Sequence, residues 1–289
     1  MHPLASSAGI LAALFIAGLI GIAGSDQGHR LSEFPVFMIC GILAFTVQWL
    51  AFVPAWLYRT ERYFDLTGSL TYTALILLVL GLGAWQDPRS LVIGALVMIW
   101  AARLGSFLFL RVNRDGGDRR FNRIKNNFMQ FLMTWTIQGL WVYITLAAAL
   151  AAMTSTNTVK PDWMMAAGIL CWITGFSIEV IADQQKAAFR RSPENHNRFI
   201  TEGLWSLSRH PNYFGEILLW IGIAAIALPV LQGWQYLTLV SPVFVFLLLT
   251  RISGVTMLES RADRQWGNDP DYQSYRDSTP MLIPRLRQS

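Results

Sequence analysis

Eight long apolar runs constrain the fold of this chain more than any other feature. Each run is close to the roughly 20 residues that a helix needs to cross the hydrocarbon core of a bilayer. In chain order the runs are Ser7–Gly24, Pro35–Leu57, Leu66–Trp85, Leu91–Leu110, Phe128–Met153, Trp163–Ala182, Phe214–Leu231 and Trp234–Thr250. The two-residue alternation typical of membrane barrel strands is absent. The sequence therefore predicts an all-α, polytopic membrane bundle of about eight transmembrane helices.

Composition supports this class of protein. Of the 289 residues, 53% are hydrophobic and only 14% are charged, whereas about a quarter of the residues of soluble domains are charged. Cys40 and Cys171 lie inside apolar runs without paired spacing, so neither a disulfide scaffold nor a metal site is expected. The N-terminus lacks the basic residues of a secretory signal, and the first run is interpreted as retained. We expect a single membrane domain over residues 1–289, with an extra N-terminal span and outer loop over residues 1–34.

Positive charge predicts the orientation in the membrane. With the N-terminus placed in the cytoplasm, 19 of the 23 Lys and Arg residues fall on the inner side. Arg30, Arg89 and Lys160 fall on the outer side, and Arg103 lies within a run. The positive-inside rule then places both termini in the cytoplasm. The predicted location is the bacterial inner (plasma) membrane, with polar chemistry on the cytoplasmic face.

The richest polar motif stands just before the seventh apolar run. It reads Arg-His-Pro-Asn-Tyr-Phe-Gly-Glu, from Arg209 to Glu216. Pro211 suits the first turn of a helix, which puts Asn212 and Glu216 four residues apart on one helix face. An amide beside a carboxylate offers donors and acceptors together, as a planar carboxamide such as nicotinamide requires. Arg209 and His210 precede the helix N-terminus, where anionic groups bind readily. A basic interfacial cap is the structural alternative.

A charged stripe with helical spacing lies where the sixth run leaves the membrane. Its members, four, three and four residues apart, are Glu179, Asp183, Lys186 and Arg190. A solvated face on a helix that extends beyond the bilayer is the plain interpretation of such a stripe.

The loop after the fourth run combines adjacent glycines with arginines. Gly116 and Gly117 allow the backbone to approach a phosphate closely, and the guanidinium groups of Arg114 and Arg119 match phosphate oxygens. No Gly-x-Gly-x-x-Gly motif follows a strand, so any dinucleotide would be held without a Rossmann domain. A positive-inside topology signal is the alternative for this loop.

Arg103 is the one basic residue inside an apolar run. Charge within the bilayer is costly and by default marks a polar cavity or pathway. Because Arg103 lies near the predicted cytoplasmic end of its run, snorkelling to the interface is the alternative.

The Arg209–Glu216 motif resembles the C-terminal signature of the membrane steroid 5-alpha-reductase family, in its bacterial branch. The resemblance covers roughly residues 60–285 and includes Ala182-Asp-Gln-Gln-Lys-Ala-Ala-Phe189. More distantly, sterol reductases carry a related Arg-His-x-Asn-Tyr-x-Gly-Asp pattern, and isoprenylcysteine carboxyl methyltransferases share an Arg-His-Pro-x-Tyr-x-Gly core. The family resemblance implies a seven-helix reductase-like core, here preceded by one extra helix, and NADPH as the cofactor.

The resemblance also implies which residues contact the cofactor. Beyond Arg209 and His210, the matching positions are Arg103, Asp183, Lys186, Arg190, Arg198, Asn212, Tyr213, Glu216 and Glu259. In the family, the C-terminal tail folds back over the cofactor. Here the matching tail carries Tyr272, Tyr275 and Leu282-Ile-Pro284.

At the substrate-polarising end the chain departs from the family pattern. Steroid reductases of the family place a Gln-Glu pair on one helix and a Tyr on the next, whereas this chain offers Asp65 and, at the corresponding spacing, Trp100. Indole donates a hydrogen bond but is not a useful acid. The catalytic roles are therefore assigned to Asp65 and to Tyr72, about two turns onward. A helix N-cap or interfacial role for Asp65 is the alternative.

These patterns predict an NADPH-dependent membrane oxidoreductase that reduces a C=C bond of a lipid or steroid-like enone by hydride transfer. The lipid-soluble substrate would enter from the bilayer, and NADPH from the basic cytoplasmic side. The alternatives are an S-adenosylmethionine-dependent methyltransferase of the isoprenylcysteine type, and a non-catalytic lipid-binding or transport protein. Asn212 and Glu216 favour the reductase, and the lack of inverted repeats argues against a transporter. Membrane lipids are expected partners, nucleic acid is not, and the oligomeric state is left open.

Overall fold

The structure is a computed structural model that describes residues 3–118, 120–195 and 197–285. Most of the described chain is α-helical. The helices are α1 (Pro3–Gly24), α2 (Val36–Leu57), α3 (Phe64–Gly81), α4 (Pro88–Asp115), α5 (Phe121–Ile124), α6 (Phe128–Thr145), α7 (Ala147–Thr154), α8 (Trp163–Arg191), α9 (Pro211–Ala227), α10 (Val240–Leu247), α11 (Val255–Trp266) and α12 (Pro270–Ser278). Two short antiparallel strands, β1 (Arg30–Leu31) and β2 (Phe34–Pro35), form a hairpin in the loop after α1.

The predicted number of membrane spans is confirmed. Seven helical segments of the described chain are long and apolar enough to cross a membrane. An eighth span is formed if α6 and α7, which meet at a bend of 53°, count together. The last apolar segment, Gly233–Trp266, is interrupted by the π-helical turn Leu248–Ile252, so α10 and α11 are separate helices. The protein is an all-α, polytopic membrane protein.

Local sequence signals account for the ends of the helices. Asp87 caps α4 by accepting a hydrogen bond from the backbone N–H of Ser90 at 2.8 Å, with Pro88 in the first turn. The same helix ends at Gly116, which adopts the left-handed conformation (φ 75°) that favours glycine. α9 begins at Pro211, as its motif predicts.

The chain divides into two compact units. The first comprises Met1–Met165 and Ala224–Ser241, and the second comprises Ala166–Ile223 and Pro242–Ser289. In the first unit, α3 packs along α4, while α1 and α2 pack against α6. An aromatic cluster that includes Phe52, Phe64 and Trp135 fills part of this core.

Buried amides link helices inside the first unit. Gln48 of α2 donates to the hydroxyl of Thr71 on α3 at 2.9 Å, and Gln138 of α6 donates to the carbonyl oxygen of Phe64 at 2.8 Å. Within the described residues, the side-chain oxygens of both glutamines are buried without a hydrogen-bond partner. Apolar surroundings cannot solvate polar side chains. The hydrogen bonds donated by Gln48 and Gln138 therefore help to fix the register of their helices.

Candidate functional site

The candidate site in the second unit is built on a close contact between α8 and α9. A Cβ atom added at Gly215 would lie 2.5 Å from the carbonyl oxygen of Gly175, and one added at Gly222 would lie 2.6 Å from that of Gly168. The glycines are seven residues apart in each helix, and they pair in opposite order along the two helices. The helices therefore run antiparallel with their backbones in contact, as small residues permit in membrane proteins.

This contact brings two sequence motifs together at one place. The amide nitrogen of Asn212, in the first turn of α9, donates to Oδ1 of Asp183 on α8 at 3.1 Å. Asp183 belongs to the charged stripe and is one of the residues that the family resemblance assigns to the cofactor, and Asn212 belongs to the Arg-His-Pro motif. Asp183 lies on a helix and Asn212 lies in the first turn of one, as their motifs predict. Their hydrogen bond depends on the packing of α8 against α9.

Two further carboxylates are buried beside this bond. Glu179 lies one turn before Asp183 and is 2% exposed, and Glu216 lies one turn after Asn212 and is 8% exposed. A Cβ at Gly215 would lie 2.6 Å from the backbone nitrogen of Glu179, so the two helices are in contact at this level as well. Buried carboxylates are costly unless polar groups satisfy them. The α8–α9 polar cluster, defined as Glu179, Asp183, Asn212 and Glu216, is therefore a built polar site between apolar helices.

Glu259 on α11 joins the residues that precede α9. Its carboxylate accepts from Nη2 of Arg209 at 3.0 Å and from Nε at 3.3 Å. One of its oxygens also lies 2.7 Å from Nε2 of His210. The sequence assigns all three residues to the cofactor, and the structure brings them together.

His210 is held as a neutral hydrogen-bond acceptor. Burial lowers the pKa of its imidazole, and this outweighs the opposite effect of the Glu259 carboxylate, while the charges of Lys186 and Arg209 lower the pKa further. Because a carboxylate only accepts, Nε2 carries the hydrogen and Nδ1 is left with a lone pair. His210 is 5% exposed, and its Nδ1 atom has no hydrogen-bond partner within the described chain. The ring also stacks on Tyr213, with the ring centres 5.7 Å apart.

The C-terminal tail folds back onto the segment before α9. The backbone N–H of Arg209 donates to the carbonyl oxygen of Pro280 at 2.9 Å. The hydroxyl of Ser208 donates to the carbonyl oxygen of Leu282 at 2.8 Å. The hydroxyl of Tyr275 donates to the carbonyl oxygen of Trp205 at 2.7 Å. The guanidinium group of Arg209 also reaches the carbonyl oxygens of two tail residues. The tail therefore fixes Arg209, whose donors are engaged by Glu259 and by the tail.

The remaining basic residues of the second unit lie around the end of α8. The ammonium group of Lys186 sits 4.3 Å from the centre of the Trp205 ring. Arg190, near the end of α8, and Arg198, in the following segment, have exposed side chains. Their cofactor role stays a prediction.

The catalytic residues assigned from the sequence lie on α3, in the first unit. Asp65 lies in the first turn of α3 rather than at its N-cap, which is Tyr63, and it is near enough to Arg111 and Arg120 to interact electrostatically. Tyr72 is buried, and its ring packs edge-on against Trp100 at 5.1 Å between centres. The catalytic roles of Asp65 and Tyr72 stay predictions.

The other arginines assigned to the cofactor from the first unit lie on α4 or just after it. Arg103 is half-buried, with its guanidinium 5.2 Å from the centre of the Phe107 ring. Arg114 lies in the last turn of α4 and is exposed. Arg119 lies outside the described residues.

The glycine loop after α4 surrounds a carboxylate of the protein itself. The backbone N–H of Asp118 donates to Oε1 of Glu61 at 3.0 Å, and Lys125 donates to Oε2 of Glu61 at 2.7 Å. A Cβ at Gly117, where φ is 136°, would lie 2.9 Å from the same carboxylate. The close backbone approach expected for a phosphate is thus made to Glu61, a 5% exposed residue that no local sequence motif marks.

The fold and the site define a polytopic helical membrane protein with a buried carboxylate–amide cluster and a docked C-terminal tail. The sequence pattern of the DUF1295 family, described as a protein of unknown function, matches residues 51–279. Because this match covers most of the chain, the protein belongs to that family.

Two curated relatives are similar in sequence. An uncharacterized protein of Schizosaccharomyces pombe, C594.04c, is 25% identical over 308 residues, covering 94% of this chain and 85% of the relative. Steroid 5-alpha-reductase DET2 of Gossypium hirsutum is 28% identical over 122 residues, 42% of each protein. The predicted resemblance to steroid 5-alpha-reductases is confirmed over that stretch, and the assignment to a bacterial branch stays a prediction.

Proposed function

We propose that this protein is an NADPH-dependent membrane oxidoreductase that reduces a C=C bond of a lipid or steroid-like enone. The family and the partial similarity to a steroid 5-alpha-reductase support a membrane reductase-like role. The observation that carries the proposal is the bond between Asp183 and Asn212, which joins the two motifs assigned to the cofactor into one buried cluster. Ionisable groups buried between transmembrane helices are costly and by default mark functional sites.

The polar groups of the second unit fit a pyridine dinucleotide. Asn212 and Glu216 offer the donor and acceptor pair that a carboxamide requires. The buried Nδ1 atom of His210 is an acceptor that lacks a donor within the described chain, and a ribose hydroxyl or carboxamide N–H would supply one. Exposed Arg190 and Arg198 would bind phosphate oxygens. When bound, NADPH supplies the hydride.

The acceptor side of the reaction is assigned to α3. Reduction of an enone adds a hydride to one carbon and a proton to the other, so the site needs an acid or a hydrogen-bond donor for the carbonyl oxygen. We assign these tasks to Asp65 and Tyr72. The substrate would reach them from the bilayer, and NADPH would enter from the cytoplasmic side, where we place both termini.

Ligand-dependent thermal stability of the purified protein tests the cofactor assignment. NADPH at 100 times its Kd should raise the free energy of unfolding by about 2.7 kcal/mol. NADH should do so much less, because it lacks the third phosphate, and S-adenosylmethionine should not. Stabilisation by S-adenosylmethionine alone would instead assign the protein to the methyltransferases.

Two variants link this effect to the site. Asn212→Ala and Glu216→Ala should lose the stabilisation by NADPH while remaining folded. Glu194→Ala removes an exposed carboxylate of the same unit and serves as the matched control. If both site variants respond to NADPH as the control does, the nicotinamide assignment is wrong.

A further inference from the structure

A cavity lies entirely within the first unit. It has a volume of about 790 Å³ and opens where α2 ends and the chain turns into α3. Volumes of this size are typical of small-molecule sites. The residues that line it come from the last turns of α2, from residues 58–63, and from Gly116, Lys125 and Trp135. We call it the α2–α3 cavity.

The rim of the α2–α3 cavity is positively charged. It carries Arg59, Arg62 and Lys125 against one carboxylate, Glu61. Lys125 is neutralised by Glu61 at 2.7 Å, which leaves the charges of the two arginines. Within the described part of the chain, neither arginine makes an ion pair with a carboxylate. The net charge of the rim is therefore positive, and an anionic ligand would neutralise it.

Arg59 is held in place at this rim before any ligand binds. Its backbone has φ 51°, a left-handed conformation that is uncommon for a residue with a side chain. Its guanidinium lies 3.5 Å from the centre of the Trp56 ring and donates to the carbonyl oxygen of Lys125 at 3.0 Å. Backbone strain that the surroundings maintain is common at ligand-binding sites.

The part of the cavity formed by α2 is apolar and lies next to exposed side chains at the end of this transmembrane helix. Ala51 and Pro54 line it, and the neighbouring Leu57 and Tyr58 are 69% and 79% exposed. Exposed tyrosines at helix ends are typical of the level of lipid headgroups. Trp135, which also lines the cavity, is 1% exposed, and its indole N–H has no acceptor in the described chain. An ester or phosphate oxygen would be such an acceptor.

We propose that the α2–α3 cavity binds an anionic phospholipid, with the phosphate at Arg59 and Arg62 and the start of an acyl chain along Ala51 and Pro54. Basic pockets at the membrane interface bind anionic headgroups in this way. The apolar side chains beside the two arginines, and their position at the end of a transmembrane helix, favour a ligand that carries both a phosphate and a hydrocarbon chain. The site does not depend on the cofactor assignment in the second unit.

Native mass spectrometry of the detergent-purified, full-length protein tests the proposal. The protein is titrated with phosphatidylglycerol or phosphatidylcholine, and the lipid-bound fraction is measured. We expect one preferentially retained phosphatidylglycerol per chain. Arg62→Gln should weaken its binding about fivefold, the effect of one basic side chain near an anionic headgroup, and Arg59→Gln combined with Arg62→Gln about 25-fold.

Matched variants separate the site from general effects of charge and size. Arg123→Gln removes an exposed arginine outside the cavity and should leave binding unchanged. Ala51→Phe fills the apolar part of the cavity without changing charge and should weaken binding, whereas Ala12→Phe on the exposed face of α1 should not.

Three results would overturn the proposal. These are equal retention of the two lipids, equal weakening by Arg62→Gln and Arg123→Gln, and displacement of phosphatidylglycerol by NADPH. The last result would show that the cavity takes a nucleotide. The thermal response to NADPH should be unchanged in Arg62→Gln, so failure here and failure of the proposed function are distinguishable.

Discussion

Replacing Gly215 by alanine should separate α8 from α9 and disrupt the candidate site. The added Cβ atom would lie 2.5 Å from the carbonyl oxygen of Gly175 and 2.6 Å from the backbone nitrogen of Glu179. Both neighbours are backbone atoms, which cannot rotate away. Restoring a 3.4 Å contact requires the helices to move apart by about 0.9 Å. Overpacking of this kind costs about 1–3 kcal/mol in the free energy of unfolding.

The same displacement has a consequence for ligand binding. The bond between Asn212 and Asp183 is 3.1 Å long and crosses the same helix pair one turn away. Lengthened by about 0.9 Å, it would exceed the distance at which a hydrogen bond forms. We therefore expect Gly215→Ala to lower both the free energy of unfolding, measured by chemical denaturation, and the affinity for NADPH.

Gly18→Ala on α1 is the matched control. Within the described chain no atom lies within 4 Å of a Cβ at Gly18. This substitution should therefore be neutral or slightly stabilising, because alanine favours the helix by up to about 1 kcal/mol over glycine. If Gly215→Ala is as stable as Gly18→Ala and binds NADPH normally, the α8–α9 contact does not hold the site.

Three further predictions concern single side chains. The folded-state pKa of His210 lies below its unfolded value, so the free energy of unfolding should fall as the pH drops below about 6.5. His210→Gln should lose this part of the pH dependence. If the free energy of unfolding of His210→Gln and of the unsubstituted protein changes identically with pH, the imidazole of His210 is not held neutral. Asp65→Asn should retain NADPH binding but lose turnover, and full activity in a turnover assay would remove Asp65 from the site. Tyr275→Phe loses the bond to the Trp205 carbonyl and should cost about 1 kcal/mol by chemical denaturation; the loss should exceed that of Tyr58→Phe, whose side chain is 79% exposed.

The membrane architecture follows directly from the sequence. Hydrophobic length alone predicts the spans, because in lipid the backbone has to satisfy its own hydrogen bonds and only helices of sufficient length do so. The start of α9 at Pro211 and the helical extension that carries Asp183 also follow from local signals. These features depend on neighbours within a few residues.

The contacts that complete the candidate site are tertiary and less visible in the sequence. Asp183 and Asn212 are 29 residues apart, and neither motif alone indicates that they bond. The tail docks largely through backbone carbonyl oxygens, which carry no side-chain signature. The sequence does carry one signal of the contact between α8 and α9. Gly168 and Gly175 are seven residues apart, as are Gly215 and Gly222, and such spacing of small residues predicts a close helix contact.

The role of Glu61 illustrates why a motif alone misleads. Adjacent glycines among arginines predict a phosphate-binding loop, but a carboxylate satisfies the same backbone geometry. Glu61 is more than 50 residues away from Gly117 and Asp118, so no local pattern reveals that it supplies the anion.

Energy transfer from tryptophan to NADPH is the most direct test of the account. The chain has 12 tryptophans, and Trp205 lies beside Lys186 in the unit that carries the proposed site. Titration of the purified protein should give saturable, sensitised NADPH emission at one cofactor per chain, and Asn212→Ala should abolish it while Glu194→Ala does not. Emission that never saturates, or that persists unchanged in Asn212→Ala, would show that the α8–α9 polar cluster does not hold the dinucleotide.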